Sequence, residues 1–340
     1  MIPQCLPTWQ SLTWQQQLAD TVRDGDELCR LLQLDPKAFA ATHLPRQHPE
    51  LKQFPLRVPR AFVARMRTGD LQDPLLLQVL PQAAEAQVTP GFDDDPLKEK
   101  GASPTPGIVH KYHGRVLMML TSACAIHCRY CFRRHFPYQD HRLNREQWQQ
   151  SLDYLRANDD ISEVIFSGGD PLALGDEHLS WLVEQIEAIA HITTLRIHSR
   201  LPIVIPARID DACLAWLNRR RLQIVMVLHA NHPQELDNEV AACVSKLKTV
   251  ATAVLNQSVL LKNVNDHPQT LARLSQTLFK MGVLPYYLHL LDRVKGARHF
   301  WLDDDAALSL HRQLQDALPG YLVPKLVRET PHAAAKTVLG

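Results

Sequence analysis

Three cysteines, Cys124, Cys128 and Cys131, stand in a C-x3-C-x2-C spacing within one short stretch. Thiolates this close in one loop can each bind one iron of a cubane iron–sulfur cluster, leaving the fourth iron without a protein ligand. An open iron can chelate a small molecule and pass it an electron. The same thiols, joined by His127 or His135, could instead hold structural zinc. Such zinc sites usually pair two separated ligand knuckles, whereas all of these donors share one loop.

A loop of this kind needs a scaffold to present it. Apolar, β-branched-rich runs occur at 116–120, 164–166, 195–197, 224–228, 254–261 and 284–291, and helical stretches at 145–157, 178–190, 233–249 and 268–281 lie between them. From the second run onward the spacing is about 30 residues, the length of one βαβ unit. This alternation predicts an α/β chain folded as a partial (β/α)6 parallel barrel, because eight units are needed for closure. The C-terminal ends of such strands share one face. Polar residues follow the runs in turn: Cys124, then Ser167, Gly168, Gly169 and Asp170, then His198, Ser199 and Arg200, then His229 and Asp292, with Gln257 inside the fifth run. One histidine or aspartate at a strand end is commonly a turn residue, but a polar group on each of six strands predicts an active site. The two glycines would let the backbone approach a ligand closely, although strand-to-helix turns use the same residue types.

Upstream, residues 1–89 read as a helical region that caps or docks onto the barrel, and 90–107 as a proline-rich connector to a barrel spanning 108–340. Residues 14–32 are amphipathic, 59–66 resemble a helix start with proline in the first turn, and Asp73 is placed to cap a short helix from Pro74 that Pro81 would end. At 340 residues and 45% hydrophobic content the chain can bury a large core. Lys plus Arg (37) balances Asp plus Glu (36), which argues against nucleic acid or a membrane surface as partner. Cys5, Cys29, Cys213 and Cys243 are scattered, as expected of reduced thiols in a cytoplasmic protein. No signal-peptide pattern opens the sequence, and no run reaches the ~20 apolar residues of a membrane span.

The cysteine spacing resembles that of the radical S-adenosylmethionine enzymes, whose open iron binds S-adenosylmethionine and whose typical fold is a partial (β/α)6 barrel. The resemblance narrows with Asp95-Pro-Leu-Lys, Ser-Pro-Thr-Pro-Gly ending at Gly107, His110-Lys-Tyr, Arg133-Arg134, Ser167-Gly-Gly-Asp-Pro-Leu, Ser199-Arg-Leu-Pro-Ile, His229-Ala-Asn-His-Pro and Pro285-Tyr-Tyr-Leu-His-Leu-Leu-Asp. Together with Lys336 these look like the lysine 2,3-aminomutase family over residues 90–340, and most like its bacterial branch linked to (R)-β-lysylation of elongation factor P. The resemblance implies conversion of L-α-lysine to (R)-β-lysine by a 5′-deoxyadenosyl radical acting on lysine held as an aldimine of pyridoxal phosphate. Lys336 would form the Schiff base, Tyr112 would pack on the pyridine ring, and Lys111 or Arg115 would meet the phosphate. Ser167, Gly168, Gly169, Asp170, Ser199, His229 and Gln257 would contact the cofactors. Arg133 would grip the α-carboxylate in a bidentate pair, and Asp292 and Glu329 would hold the ε-ammonium.

Implied partners are an external one-electron donor, a ligase and elongation factor P. Three positions depart from the family pattern: Glu329 replaces an aspartate, His289 a tyrosine, and the 332–336 segment a glycine-rich one. Two rival readings stay open, an aminomutase for another amino acid such as glutamate and a metal-binding redox sensor.

Overall fold

The computed structural model describes residues 8–44, 48, 54–135, 145–218, 221–331 and 333–340. Strands Thr21–Val22 (β1) and Val58–Pro59 (β2) form a small antiparallel pair. The principal sheet contains Ile108–Tyr112 (β3), Arg115–Thr121 (β4), Glu163–Gly168 (β5), Thr194–Ser199 (β6), Gln223–His229 (β7), Ala253–Val259 (β8), Leu284–His289 (β9), Lys325–Arg328 (β10) and Thr337–Val338 (β11). Its strands follow sequence order, β3 to β11. From β4 to β10 every neighbouring pair is parallel, while β3 and β11 close the two edges antiparallel.

The sheet is curled. Lys111 on β3 lies 3.2 Å from Glu329, the residue after β10. In a flat sheet those strands would stand seven steps of ~4.8 Å, about 34 Å, apart. The chain is therefore an open, partial barrel, as the spacing of apolar runs predicts. It carries one more parallel strand than the six expected. β10 is only four residues long with charged ends, too short and polar for an apolar-run criterion, but the helix Asp304–Ala317 before it completes another βαβ crossover.

Helix ends follow local chemistry. In Pro268–Met281 proline occupies the first turn and Gly282 ends the helix at φ +84°, in the left-handed region that favours glycine. Leu271, Leu274, Ser275 and Leu278 form its buried stripe at 3.6-residue spacing. The Asp73 carboxylate accepts from the amides of Leu75 and Leu76, capping Pro74–Leu77 as anticipated; the helix stops four residues before Pro81. The stretch 14–32 is not one helix. It divides into Trp14–Ala19 and Gly25–Leu31, because β1 intervenes and Asp24 caps the second helix through the amides of Asp26 and Glu27. The stretch 233–249 likewise becomes a 3₁₀ turn followed by Asn238–Leu247, capped by Asp237.

Trp14, Val22, Leu28, Phe62 and Leu76 belong to the same buried apolar cluster as Leu152, Ile186, Ile197 and Met226 of the barrel. The described part of the N-terminal region therefore shares one continuous core with the barrel. The connector also contributes structure, with a 3₁₀ turn at Glu99–Ala102 and a bridge from Asp93 to Val294. Among the described residues no helix is long and apolar enough to cross a membrane.

Candidate active site

The cysteine loop leaves β4 and folds back across the end of β5. Two glycines permit this approach. A Cβ on Gly168, which has φ +118°, would fall 2.7 Å from the Thr121 carbonyl oxygen, and one on Gly169 2.4 Å from that of Ala123. The amides of Gly169 and Asp170 donate to these same two carbonyls at 2.7 and 2.8 Å. Their smallness thus serves the close approach of the loop itself.

The N-terminal region grips the other side of the loop. The Arg129 amide donates to the Gln78 carbonyl at 2.8 Å, and the His127 amide to that of Arg57 at 3.0 Å. Glu85 pairs with Arg129 at 2.5 Å and Arg134 at 2.6 Å, with all three side chains 0% exposed. Burial alone would raise the Glu85 carboxyl; the two guanidiniums outweigh it and hold it below the usual range. His127 donates from Nδ1 to the Pro55 carbonyl at 2.8 Å, and His135 Nε2 lies 3.1 Å from that of Lys295.

Burial raises the Cys124 thiol far above its ordinary value, with Cys131 adding to the effect; burial and Cys128 push Cys131 up to about 11. Ionised sulfurs in this loop therefore require added positive charge, which iron supplies. Among the described residues no group of three His, Cys, Asp or Glu side chains is preassembled around a metal ion, and the three thiols of the loop line one cavity.

Behind the loop lies a polar network. Asp170 accepts from Ser199 Oγ at 2.7 Å and from the amides of Arg200, Leu201 and Leu172 at 2.8, 3.0 and 3.1 Å. It thus ties the ends of β5 and β6 together. Arg200 donates to Cys128 Sγ at 2.7 Å and Tyr130 Oη at 2.6 Å, and the Tyr130 hydroxyl meets His229 Nε2 at 2.9 Å. Burial and the Arg200 charge push His229 far below its ordinary value, so its ring is neutral. Asn231, Gln78 and Glu235 complete the network and are fully buried.

The C-terminal side holds charges of alternating sign. Glu99 forms a two-point pair with Arg133, at 2.7 Å to Nε and 2.8 Å to Nη2. Lys111 lies 3.5 Å from Glu99 and 3.2 Å from Glu329, which in turn accepts from Lys336 Nζ. The expected bidentate grip of Arg133 on a carboxylate is therefore already made, by Glu99; Nη1 remains directed at Ser167 Oγ and the Gly168 carbonyl, each at 3.4 Å. Glu99 was missed because it sits in a connector without periodicity, 34 residues from its partner.

Burial would raise Glu329, but Lys336 and Lys111 hold it at about 2. Asp292 is pushed up to about 7 by burial and by the nearby Glu329 charge. Burial and Lys336 push His289 down to about 3, leaving it neutral, and its buried Nε2 has no hydrogen-bond partner among the described residues. The Arg115 guanidinium lies over the Tyr112 ring, 5.0 Å from its centroid.

The cysteine loop, Tyr130, Arg200, His229 and the charges of the C-terminal side meet in one cavity of about 1080 Å³, while Glu85, Arg129, Gln78, Asn231 and Glu235 support its lining from behind. Its walls include Cys124, Cys128, Cys131, Lys111, Tyr112, Arg115, Arg133, Ser167, Gly168, Gly169, Asp170, Ser199, His229, Gln257, Asp292, Glu329 and Lys336, so every candidate from the sequence lies here. Of the substituted 332–336 segment, His332 lies outside the described residues.

A partial barrel carrying a three-cysteine loop at the C-terminal ends of its strands defines a radical S-adenosylmethionine enzyme, and the Radical SAM superfamily pattern matches residues 118–218. The chain is 51% identical to the L-lysine 2,3-aminomutase of Escherichia coli (strain K12) over 326 residues, 96% of this chain and 94% of that one. It is 48% identical to the enzyme of that name from Haemophilus influenzae, over 96% and 95% of the two chains. With that of Clostridium subterminale it shares 32% identity over 84% of this chain and 69% of the other. The chain belongs to the L-lysine 2,3-aminomutase family. Membership brings with it a [4Fe–4S] cluster, S-adenosylmethionine and pyridoxal phosphate.

Proposed function

We propose that the chain is an isomerase that moves the amino group of L-α-lysine from C2 to C3, giving (R)-β-lysine. One observation carries the reading: the three cysteines, Lys336, Arg133 and the acidic pair Asp292 and Glu329 line a single cavity of about 1080 Å³. That volume lies at the upper end of ordinary small-molecule pockets and suits several guests at once. When bound, the cluster, S-adenosylmethionine and pyridoxal phosphate supply an electron, a 5′-deoxyadenosyl radical and a π-system that delocalises the substrate radical.

Cys124, Cys128 and Cys131 hold the cluster. Ser167, Gly168, Gly169, Asp170, Ser199, His229 and Gln257 shape the S-adenosylmethionine side. Lys336 offers its Nζ to the pyridoxal carbonyl, and Tyr112 offers a ring face to the pyridine. Arg115 suits the phosphate better than Lys111, whose charge is already divided between Glu99 and Glu329. Arg133 presents Nη1 to the α-carboxylate while Glu99 fixes the rest of its guanidinium.

Glu329, which pairs with Lys336 and Lys111 in the substrate-free chain, would turn toward the substrate ε-ammonium, with Asp292 beside it. A buried ammonium requires such compensation, which favours lysine over an acidic amino acid. The neutral His289 adds no repelling charge at this end of the cavity.

The test is an anaerobic product assay on the cluster-reconstituted chain with pyridoxal phosphate, S-adenosylmethionine, a strong reductant and either L-lysine or L-glutamate. β-Lysine that disappears in Cys128→Ala and Lys336→Ala supports the reading. An intact cluster that cleaves S-adenosylmethionine yet yields no β-lysine overturns it. In the cell, by this reading, an external one-electron donor reduces the cluster, and a ligase attaches the product to a lysine of elongation factor P. A reducing cytoplasm suits both the cluster and the buried free thiols Cys29, Cys213 and Cys243.

A further inference from the structure

We propose that Arg200 is a positioning residue for the cluster: its guanidinium, hydrogen-bonded to the Cys128 sulfur, raises the reduction potential of the bound [4Fe–4S] centre. The inference rests on the cluster assignment above and deepens it. Arg200 follows β6 directly, and its side chain is only 7% exposed. Nη1 donates to Cys128 Sγ at 2.7 Å and to Tyr130 Oη at 2.6 Å. Nη2 donates to Gln78 Oε1 at 2.7 Å and Glu235 Oε2 at 3.1 Å. The backbone amide is fixed on Asp170 at 2.8 Å, and Phe62 and Tyr130 flank the guanidinium with ring centroids 5.4 and 5.8 Å from Cζ. The charge cannot swing away from the sulfur without abandoning several buried partners.

A [4Fe–4S]²⁺ core with three thiolates carries one net negative charge, and one-electron reduction makes it two. Adding that charge where water is excluded is costly, and an N–H donor on a ligand sulfur offsets part of the cost in the reduced state most of all. Glu235 opposes the effect. It is 0% exposed, and while Oε2 accepts from Arg200, Oε1 accepts from the amides of Asn231 and His232 and from Gln78 Nε2. The cluster thus feels Arg200 less the share of its charge that Glu235 takes. The two residues should move the potential in opposite directions, which a purely packing role for either would not produce.

The experiment is a potentiometric titration of the reconstituted full-length chain, followed by electron paramagnetic resonance of the reduced cluster. Wild type, Arg200→Gln, Arg200→Lys and Glu235→Gln would be compared without S-adenosylmethionine. Iron and sulfide analysis of wild type comes first, since absence of a cluster there refutes the cluster assignment itself. At the wild-type midpoint, Arg200→Gln should lower the reduced-to-oxidised ratio at least tenfold, equivalent to 59 mV for a one-electron couple. Glu235→Gln should raise the ratio, and Arg200→Lys, which keeps charge but loses the two-pronged donor, should lower it less. If Arg200→Gln fails to retain iron, opposite shifts in Arg200→Lys and Glu235→Gln still support the proposal. Unchanged midpoints, or shifts of one sign in all cluster-loaded variants, overturn it.

Discussion

The two walls of the cavity solve different problems. On the cluster side, the side chains of Glu85, Arg129 and Arg134 are 0% exposed and ion-paired, and Gln78, Asn231 and Glu235 are equally buried behind the cavity lining. On the C-terminal side, Lys111, Glu329 and Lys336 keep 17%, 16% and 22% exposure while alternating in sign. A dry, ion-paired network cannot change partners without stranding a buried charge, a cost of several kcal/mol. Partly wet charges can exchange partners, and substrate must cause such exchange each time it enters or leaves. One wall is built to stay in place, the other to let go.

The largest expected effects abolish one wall's chemistry and spare the other's. Cys131→Ala should lose the iron–sulfur absorbance and all β-lysine while still forming the visible Schiff-base band with pyridoxal phosphate. Lys336→Ala should show the converse, a full complement of iron without the band. Loss of both signals in either variant would mean that the walls are not independent.

A smaller effect tests the rigidity of the cluster wall. Glu85→Ala leaves Arg129 and Arg134 buried without a counter-charge, and should cost about 3–5 kcal/mol. The thermal midpoint of the chain before reconstitution should fall, and iron retained after reconstitution should fall with it. An unchanged midpoint would show that the loop does not depend on the N-terminal grip.

Glu99, at 6% exposure, is nearly as dry as Glu85 although it lies on the substrate side, so its substitution is read through substrate binding. Glu99→Gln keeps the shape beside Arg133 but removes the charge that fixes its guanidinium. The KM for lysine should rise about tenfold, some 1.4 kcal/mol, with kcat changed less. A fall in kcat alone would place Glu99 in the chemistry rather than in substrate positioning.

The walls also differ in how far the sequence discloses them. The cysteines are legible because three ligands of one centre stand in one loop, and the strands because their apolar runs recur at βαβ length. The Glu85 grip on Arg129 spans 44 residues, and the Arg200 contact with Cys128 spans 72. No local periodicity marks either one; they exist only once the chain has closed on itself. Lys336 and Glu329 are only seven residues apart, yet a lone lysine and glutamate near a chain end look like solvated side chains. Resemblance singles them out, and the curled sheet brings them to Lys111 on the opposite edge.

A final effect separates the two acids of the exchanging wall by their response to pH. Asp292 is pushed up to about 7 by burial and by Glu329, whereas Lys336 and Lys111 overcome burial and hold Glu329 at about 2. Between about pH 4 and 7 the folded chain retains on Asp292 a proton that the unfolded chain has released, so this residue makes stability fall as pH rises through that window. Glu329 acts in the other direction: its stabilisation is present above the ordinary carboxyl range and is lost as pH falls toward 2. Asp292→Asn should remove the first slope, at most one proton or about 1.4 kcal/mol per pH unit, whereas Glu329→Gln, which takes away one of the two causes that raise Asp292, should narrow the window without abolishing it. Urea midpoints of the cofactor-free chain between pH 4 and 8 would measure both. Wild type should lose ground to Asp292→Asn as pH rises and then run parallel above about pH 7. Parallel curves throughout would mean that Asp292 ionises like an exposed acid, and would remove the reason for pairing it with a buried ammonium.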